Sequence, residues 1–236
     1  MLDKEFGEIH LSLRANMRRI SARWKTDGLH INAPSCIRQH DIEKFIDEHR
    51  DKLRELRQRT AATQSTITYH LEQRIPCFAG EVLITSLNMR AGTTAYKRDS
   101  QGNLFVYISA KDDISTATKQ NAISAALTAL MKDTAPHALI PYAWKVAKTL
   151  NLAPKDIVIG RGKRKLGHCT SKGVIQLSFM LMFMPEELVR YIICHELAHL
   201  TEMNHSPRFH ALCNTYCNYQ EKALEKKLKG FKYPLK

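Results

Sequence analysis

The chain has 236 residues, 44% of them hydrophobic, and a formal net charge of +13, which is enough apolar material to bury a core in one large or two small domains. No segment approaches the roughly 18 apolar residues of a membrane span and the N-terminus lacks a basic start followed by an apolar block, so a cytoplasmic protein without a membrane partner is expected. Cysteines at 36, 77, 169, 194, 213 and 217 show no C-x-x-C spacing and are too sparse for a disulfide scaffold, so they read as reduced thiols.

In chain order, "IHLSL" and "ISARW" alternate apolar and polar residues, and a turn at Thr26-Asp27-Gly28 leads to "LHINAP". Alternation of period two marks half-buried strands, and a small antiparallel sheet is expected. From Asp41 to about Arg59, Ile42, Phe45, Ile46, Leu53 and Leu56 follow helical spacing with charges on the other face, which predicts one helix. "EVLITSL" and "NLFVYIS" are further strands, separated by turn signals at Gly92 and from Asp99 to Gly102. Residues 1–112 therefore read as a mostly antiparallel β region with one helix.

Beyond that point the pattern becomes helical. "ISTATKQNAISAALTALMKDTA" is rich in alanine and leucine, and Pro136 and Pro141 are expected to interrupt it. Ile140, Ala143, Trp144, Ala147 and Leu150 then mark a separate amphipathic helix. Strands are expected at "DIVIG" and, after the Lys172-Gly173 turn, at "VIQLS". Pro185-Glu186-Glu187 opens a helix with Leu188, Tyr191, Ile192, His195 and His199 on one face. The last helices run from Ser206 to about Cys217 and through "EKALEKKLK". The whole is an α+β chain of two regions, 1–112 and 113–236, without an internal repeat.

"HELAHLTEMNHSPRFH", residues 195–210, concentrates the chemistry. His195 and His199 are four residues apart and stack on one helix face, so both can reach a single metal ion. Glu196, about 100° around from His195, can flank the ion and act on its water without binding it. His205 lies six residues beyond His199 and would point away on an unbroken helix. The helix must therefore end first. Asn204 is expected to take the left-handed conformation that stops it, and Ser206-Pro207 to cap and start the next. Three histidines leave a tetrahedral zinc one open position, which defines a catalytic site, whereas a closed structural site would need a fourth ligand such as His210 or Cys213. Cys213 and Cys217 read more simply as buried, inert thiols, and Glu202 and His210 carry no assigned role.

The positive charge is uneven: residues 113–236 carry 18 basic and 9 acidic residues. An anionic partner is one consequence, whether nucleic acid, nucleotide or acidic peptide, and solubility alone is another. Arg161, Lys163, Arg164 and Lys165 form a run that could clamp an anionic substrate. His168, read as a turn residue, is a candidate oxyanion stabiliser. "GVIQLS" is a candidate exposed edge for an extended peptide.

The stretches "LGHCTSKGVIQLS", "PEELVRYIICHELAHL" and "EMNHSPRFHALC" together resemble the YgjP-like metallopeptidase family, relatives of the WLM and SprT-like zinc peptidases. The resemblance is strongest over residues 155–217 and fainter over "ISARWKTDGLHINAP". It implies a minimal zincin-like catalytic domain in residues 113–236, with His195, His199 and His205 as zinc ligands and Glu196 as catalytic base. The family usually has Trp-Gly-Ser-Cys where this chain has Leu166-Gly167-His168-Cys169, and often Asn at Ser178, so the cleft wall differs from the family pattern.

The expectation is thus a metallopeptidase holding one zinc ion (Zn2+) per chain, in which water on the metal, activated by Glu196, attacks a carbonyl of a peptide or protein substrate. Two alternatives share the residues: a nucleoside triphosphate pyrophosphohydrolase gripping phosphates through the Arg161–Lys165 run, and a nucleic-acid-binding module braced by zinc.

Overall fold

In the computed structural model, which describes residues 2–25, 28–63, 67–160, 162 and 164–235, the α+β class holds. The chain divides by contact into residues 1–66 and 67–236. The expected boundary at 112/113 does not coincide with this division. Val82, Ile84, Leu104, Val106 and Ile108 from strands share one buried cluster with Ile123, Leu127 and Leu130 from the following helix. The change of pattern near residue 113 is therefore a change of element within one core.

Residues 1–66 carry strands β1 (Leu2–Asp3), β2 (Gly7–Arg14), β3 (Ser21–Lys25) and β4 (Gly28–Pro34), in the order β1-β2-β4-β3. The sheet is mixed, not antiparallel as expected: β2 and β4 are parallel, with Ile9 opposite Leu29, and β3 is antiparallel to β4. Alternation tells which face of a strand is buried but not which strand lies beside it. Leu29, Ile31 and Ala33, all at 0% exposure, put β4 in the middle. Of the turn expected at 26–28, Thr26 and Asp27 lie outside the described residues. The single helix expected from Asp41 is two, α1 (Gln39–Glu48) and α2 (Arg50–Thr63), broken at His49. The His49 ring nitrogen Nδ1 meets the Phe45 carbonyl at 3.0 Å and its backbone N–H donates to Ile46 O at 3.3 Å, which ends the first helix there. Ile42, Ile46 and Leu53 close the core against Phe6, Ile9, Leu29 and Ile31.

Residues 67–236 begin with β5 (Arg74–Cys77), β6 (Gly80–Leu87), β7 (Thr94–Arg98) and β8 (Leu104–Ser109), in the order β5-β6-β8-β7. Their pairing senses are antiparallel, parallel, antiparallel, which repeats the strand order and senses of the first sheet. The sequence shows no such repeat because the two sheets share only alternation, which many residue choices satisfy.

The two helices expected on either side of the prolines are one, α3 (Ala117–Thr149). Pro136 and Pro141 are both exposed, as are Lys132 and His137, whose carbonyls lose their helical donors to the two prolines. Water can replace the missing bonds on that face. The opposite stripe of Met131, Ala135, Leu139, Ala143 and Val146 is buried and holds the helix through. Next come β9 (Asp156–Gly160), β10 (Gly167–Cys169) and β11 (Val174–Ser178), with β11 in the centre, antiparallel to β10 and parallel to β9. The apolar run Phe179–Phe183 forms a fully buried 3-10 turn capped by Ser178. Helices α4 (Glu186–Ala198), α5 (Pro207–Tyr216) and α6 (Glu221–Gly230) complete the chain, and no helix among the described residues is long and apolar enough to cross a membrane.

Since the two parts have separate hydrophobic clusters, a chain beginning at Ile67 is expected to retain helical circular dichroism and to melt in one cooperative transition. A broad, gradual loss of signal on heating would show that this core does not stand without residues 1–66.

Candidate metal centre

Helix α4 begins with Glu186 and Glu187 in its first turn, where carboxylates favour the positive end of the helix dipole. Its inner face buries Leu188, Tyr191 and Ile192 and carries His195, half-buried, and His199, 8% exposed. The expected left-handed stop at Asn204 is absent: Asn204 is not among the non-glycine residues with positive φ. The helix instead ends by tightening. Leu200 N–H donates to Leu197 O and Thr201 N–H to Ala198 O, each at 3.1 Å, and Glu202 N–H donates to Ala198 O at 3.0 Å. Repeated bonds to the same turn use up the last carbonyls, so no αL residue is needed.

This ending also orients a histidine. His199 Nδ1 stands 3.0 Å from the Glu202 carbonyl, which can only accept, so Nδ1 carries the proton and Nε2 keeps its lone pair. After the turn, Ser206 caps α5 by accepting from Phe209 N–H at 3.2 Å, and Pro207 takes the first helical position, as expected. His205 is thereby returned to the pair. Its Nε2 lies 3.0 Å from His195 Nε2, and the three histidines offer ligand atoms all within 4.8 Å of one another, a group that could hold a metal ion.

Phe209 belongs to this site and was not foreseen. Its ring, at 0% exposure, stacks on His199 with centroids 4.5 Å apart and meets His195 and His205 edge-on at 4.9 and 4.7 Å. The only sequence signal for it was its place three residues after the Ser206 cap. The suggested fourth ligands do not join the group among the described residues. His210 Nδ1 is paired with Glu221 Oε1 at 2.8 Å, and Cys213 and Cys217 are buried. Glu202 contributes its carbonyl to His199, while its carboxylate pairs with Arg208.

Glu196 is 6% exposed and outside the group of three. Burial pushes its carboxyl up to about 7, against the opposing effects of the Cys169 N–H, which donates to it, and the Lys165 charge. The carboxylate lies against β10: a Cβ built at Gly167 would fall 2.6 Å from Glu196 Cδ. Any larger residue there would have to displace the Glu196 side chain, and a glycine in "LGHC" was the one sequence trace of this contact. Burial, then the charges of His199 and His205, pull His195 down to about 4, and burial lowers His199 as well.

The structure corrects two expectations about the cleft wall. "GVIQLS" is not an exposed edge, because β11 is paired on both sides; β10 is the edge strand nearest Glu196. His168 sits on β10 opposite Gln176 and not in a turn, a three-residue strand being too short for alternation to reveal. Arg164, Lys165 and His168 are exposed and line a cleft of about 350 Å³, while Arg161 and Lys163 lie outside the described residues.

A metal that only braces a fold takes four protein ligands and has no use for a buried carboxylate beside it. Three imidazoles with such a carboxylate support the class of metal-dependent hydrolases. The family model described as YgjP-like, metallopeptidase domain, matches residues 18–230, and the chain belongs to that family. No curated protein and no solved structure matches it.

Gly167→Ala is expected to destabilise the protein by about 1–3 kcal/mol through overpacking, read as a lower denaturant midpoint. Combining it with Glu196→Ala should recover most of that loss, and strictly additive effects would place the strain elsewhere. A second expectation concerns pH in chelator-treated protein. A carboxyl raised from 4.5 to about 7 on folding makes stability fall as pH rises through that window, whereas an imidazole lowered from 6.5 to about 4 makes it rise over its own. The two oppose between about 4.5 and 6.5. Glu196→Gln removes the first, so its urea midpoint should climb more steeply with pH across this range than that of the unsubstituted protein, and equal slopes would contradict the assignment.

Proposed function

We propose that the protein is a zinc-dependent metallopeptidase, with His195, His199 and His205 holding one ion per chain and Glu196 acting as the catalytic base. The observation that carries this reading is the convergence of three imidazoles beside a buried carboxylate that is not one of them. The residues fit zinc. Nitrogens on a tetrahedral zinc stand about 3.3 Å apart, close to the 3.0 Å between His195 and His205 Nε2, and His199 presents the lone-pair tautomer. Neutral imidazoles are the ligands that zinc favours, and the lowered His195 and His199 keep that form near neutral pH.

The bound ion would supply Lewis acidity toward water and the scissile carbonyl. Glu196 takes the proton from the attacking water and returns it to the leaving amine, breaking the C–N bond and freeing a carboxylate and an amine. A carboxyl raised toward neutrality by burial suits a group that must both accept and release a proton. The Cys169 N–H holds it in place. Hydrogen bonds from Ser178 N–H to Leu166 O and from Thr170 N–H to Val174 O set the ladder so that the Gly167 backbone groups turn away from β11. An extended peptide substrate along that edge of β10 would pass over Glu196. The free thiols of all six cysteines favour a cytoplasmic setting.

Glu196→Gln is expected to retain bound zinc by elemental analysis and to lose peptide hydrolysis by at least about 10²-fold, whereas His205→Ala should lose the metal. Hydrolysis by the glutamine variant at the original rate would refute the role of Glu196.

A further inference from the structure

We propose that the cleft beside Glu196 seats an acidic side chain of the substrate, so that peptides with aspartate or glutamate next to the scissile bond are preferred. This rests on the metallopeptidase reading and names its substrate class. The cleft, of about 350 Å³, is bounded by the loop carrying Arg164 and Lys165, by His168 on β10 and by Gln176 on β11. Among the described residues its ionisable lining is two cations and an imidazole, with no carboxylate. Neither Arg164 nor Lys165 is in an ion pair with a described residue, so both charges are available to an incoming anion. A guanidinium beside an ammonium suits a carboxylate, which the planar fork can hold through two bonds.

The surrounding residues hold this cleft in place. Ser178, 3% exposed, donates its Oγ–H to the Gly162 carbonyl at 3.0 Å, which ties the basic loop to the end of β11. The Gln176 side chain lies across Gly160, where a Cβ would fall 2.8 Å from its Cδ, and its amide adds donors to the wall. Proximity to the reacting bond follows from shared residues. Gly167 lines the cleft and also touches the Glu196 carboxylate, and the Lys165 charge acts on that carboxylate. An anion bound here therefore lies on the side of Gly167 next to a peptide bond placed over Glu196. The volume is near the lower end of the usual range of about 300–1,000 Å³ for ligand pockets. With no lining carboxylate among the described residues to hold the magnesium ion that accompanies nucleoside triphosphates, a side chain is the better occupant.

The test uses zinc-loaded full-length protein and matched peptides that differ only by Glu or Gln at each position flanking the cleaved bond. The Glu peptides are expected to show a kcat/KM higher by about tenfold or more, on the scale of one charge-assisted hydrogen bond. That ratio should fall to near one in the Arg164→Ala, Lys165→Ala double variant. Arg164→Glu with Lys165→Glu should invert the preference toward peptides with Lys. Binding of the same peptides to Glu196→Gln protein, measured by calorimetry, reads the cleft without turnover. Cleavage with no acidic preference, or with one that survives both double variants, overturns the proposal and leaves the peptidase reading intact. If no peptide is cut but calorimetry still separates Glu from Gln peptides through Arg164 and Lys165, the cleft assignment stands and the peptidase reading falls. Binding of ATP tighter than any acidic peptide, and lost in the same variants, overturns the choice of a side chain as occupant.

Discussion

Three imidazoles can meet at one point only because α4 stops at its second histidine. A helix continued through His205 would carry that ring around to the far side. The stop is made by backbone bonds that close on Leu197 and Ala198, and the same turn supplies the Glu202 carbonyl that sets the His199 tautomer. Ending the helix and setting the tautomer of a candidate ligand are thus one structural event. Phe209 then backs all three rings from the first turn of α5, and its full burial leaves them little freedom to rotate. Rigid ligands lose little entropy on binding, which is how packing strengthens a metal site without adding a ligand.

The carboxylate depends on a different constraint, the approach of a helix to a strand edge. Gly167 allows Glu196 to lie against β10, and the Cys169 N–H satisfies it there. Removal from water raises its affinity for protons, while the single hydrogen bond and the Lys165 charge work in the opposite direction. The same carboxyl buried without a donor would be pushed further toward its neutral form, and one fully exposed would lose the effect of burial. Burial and compensation together bring it near neutrality.

Behind the site, the packing explains why the elements run as they do. Helix α3 passes two prolines without breaking because both fall on its solvent face, and a continuous apolar stripe opposes them. The 3-10 turn after β11 is buried throughout and delivers the chain to the start of α4. The two four-stranded sheets share one strand order, a repetition of architecture in which no residue need be repeated.

Much of the candidate metal site was legible from spacing: the i, i+4 pair, the adjacent glutamate, the need for a helix stop and the Ser206-Pro207 restart are local properties, and local geometry is what a sequence encodes most directly. The α+β class and most of the long elements followed from periodicity for the same reason. Strand order did not, because alternation is indifferent to the neighbour, so β4 and β11 came out central where an antiparallel sheet and a free edge were expected. Nor could spacing show Phe209 under the rings, the Glu202 carbonyl on His199, or Gly167 beneath Glu196. The sequence alone thus determined which residues could bind a metal and which could act as a base. Only the tertiary structure decided what holds them, which edge faces them and how far burial shifts their protons, because those depend on contacts between segments that no local pattern specifies.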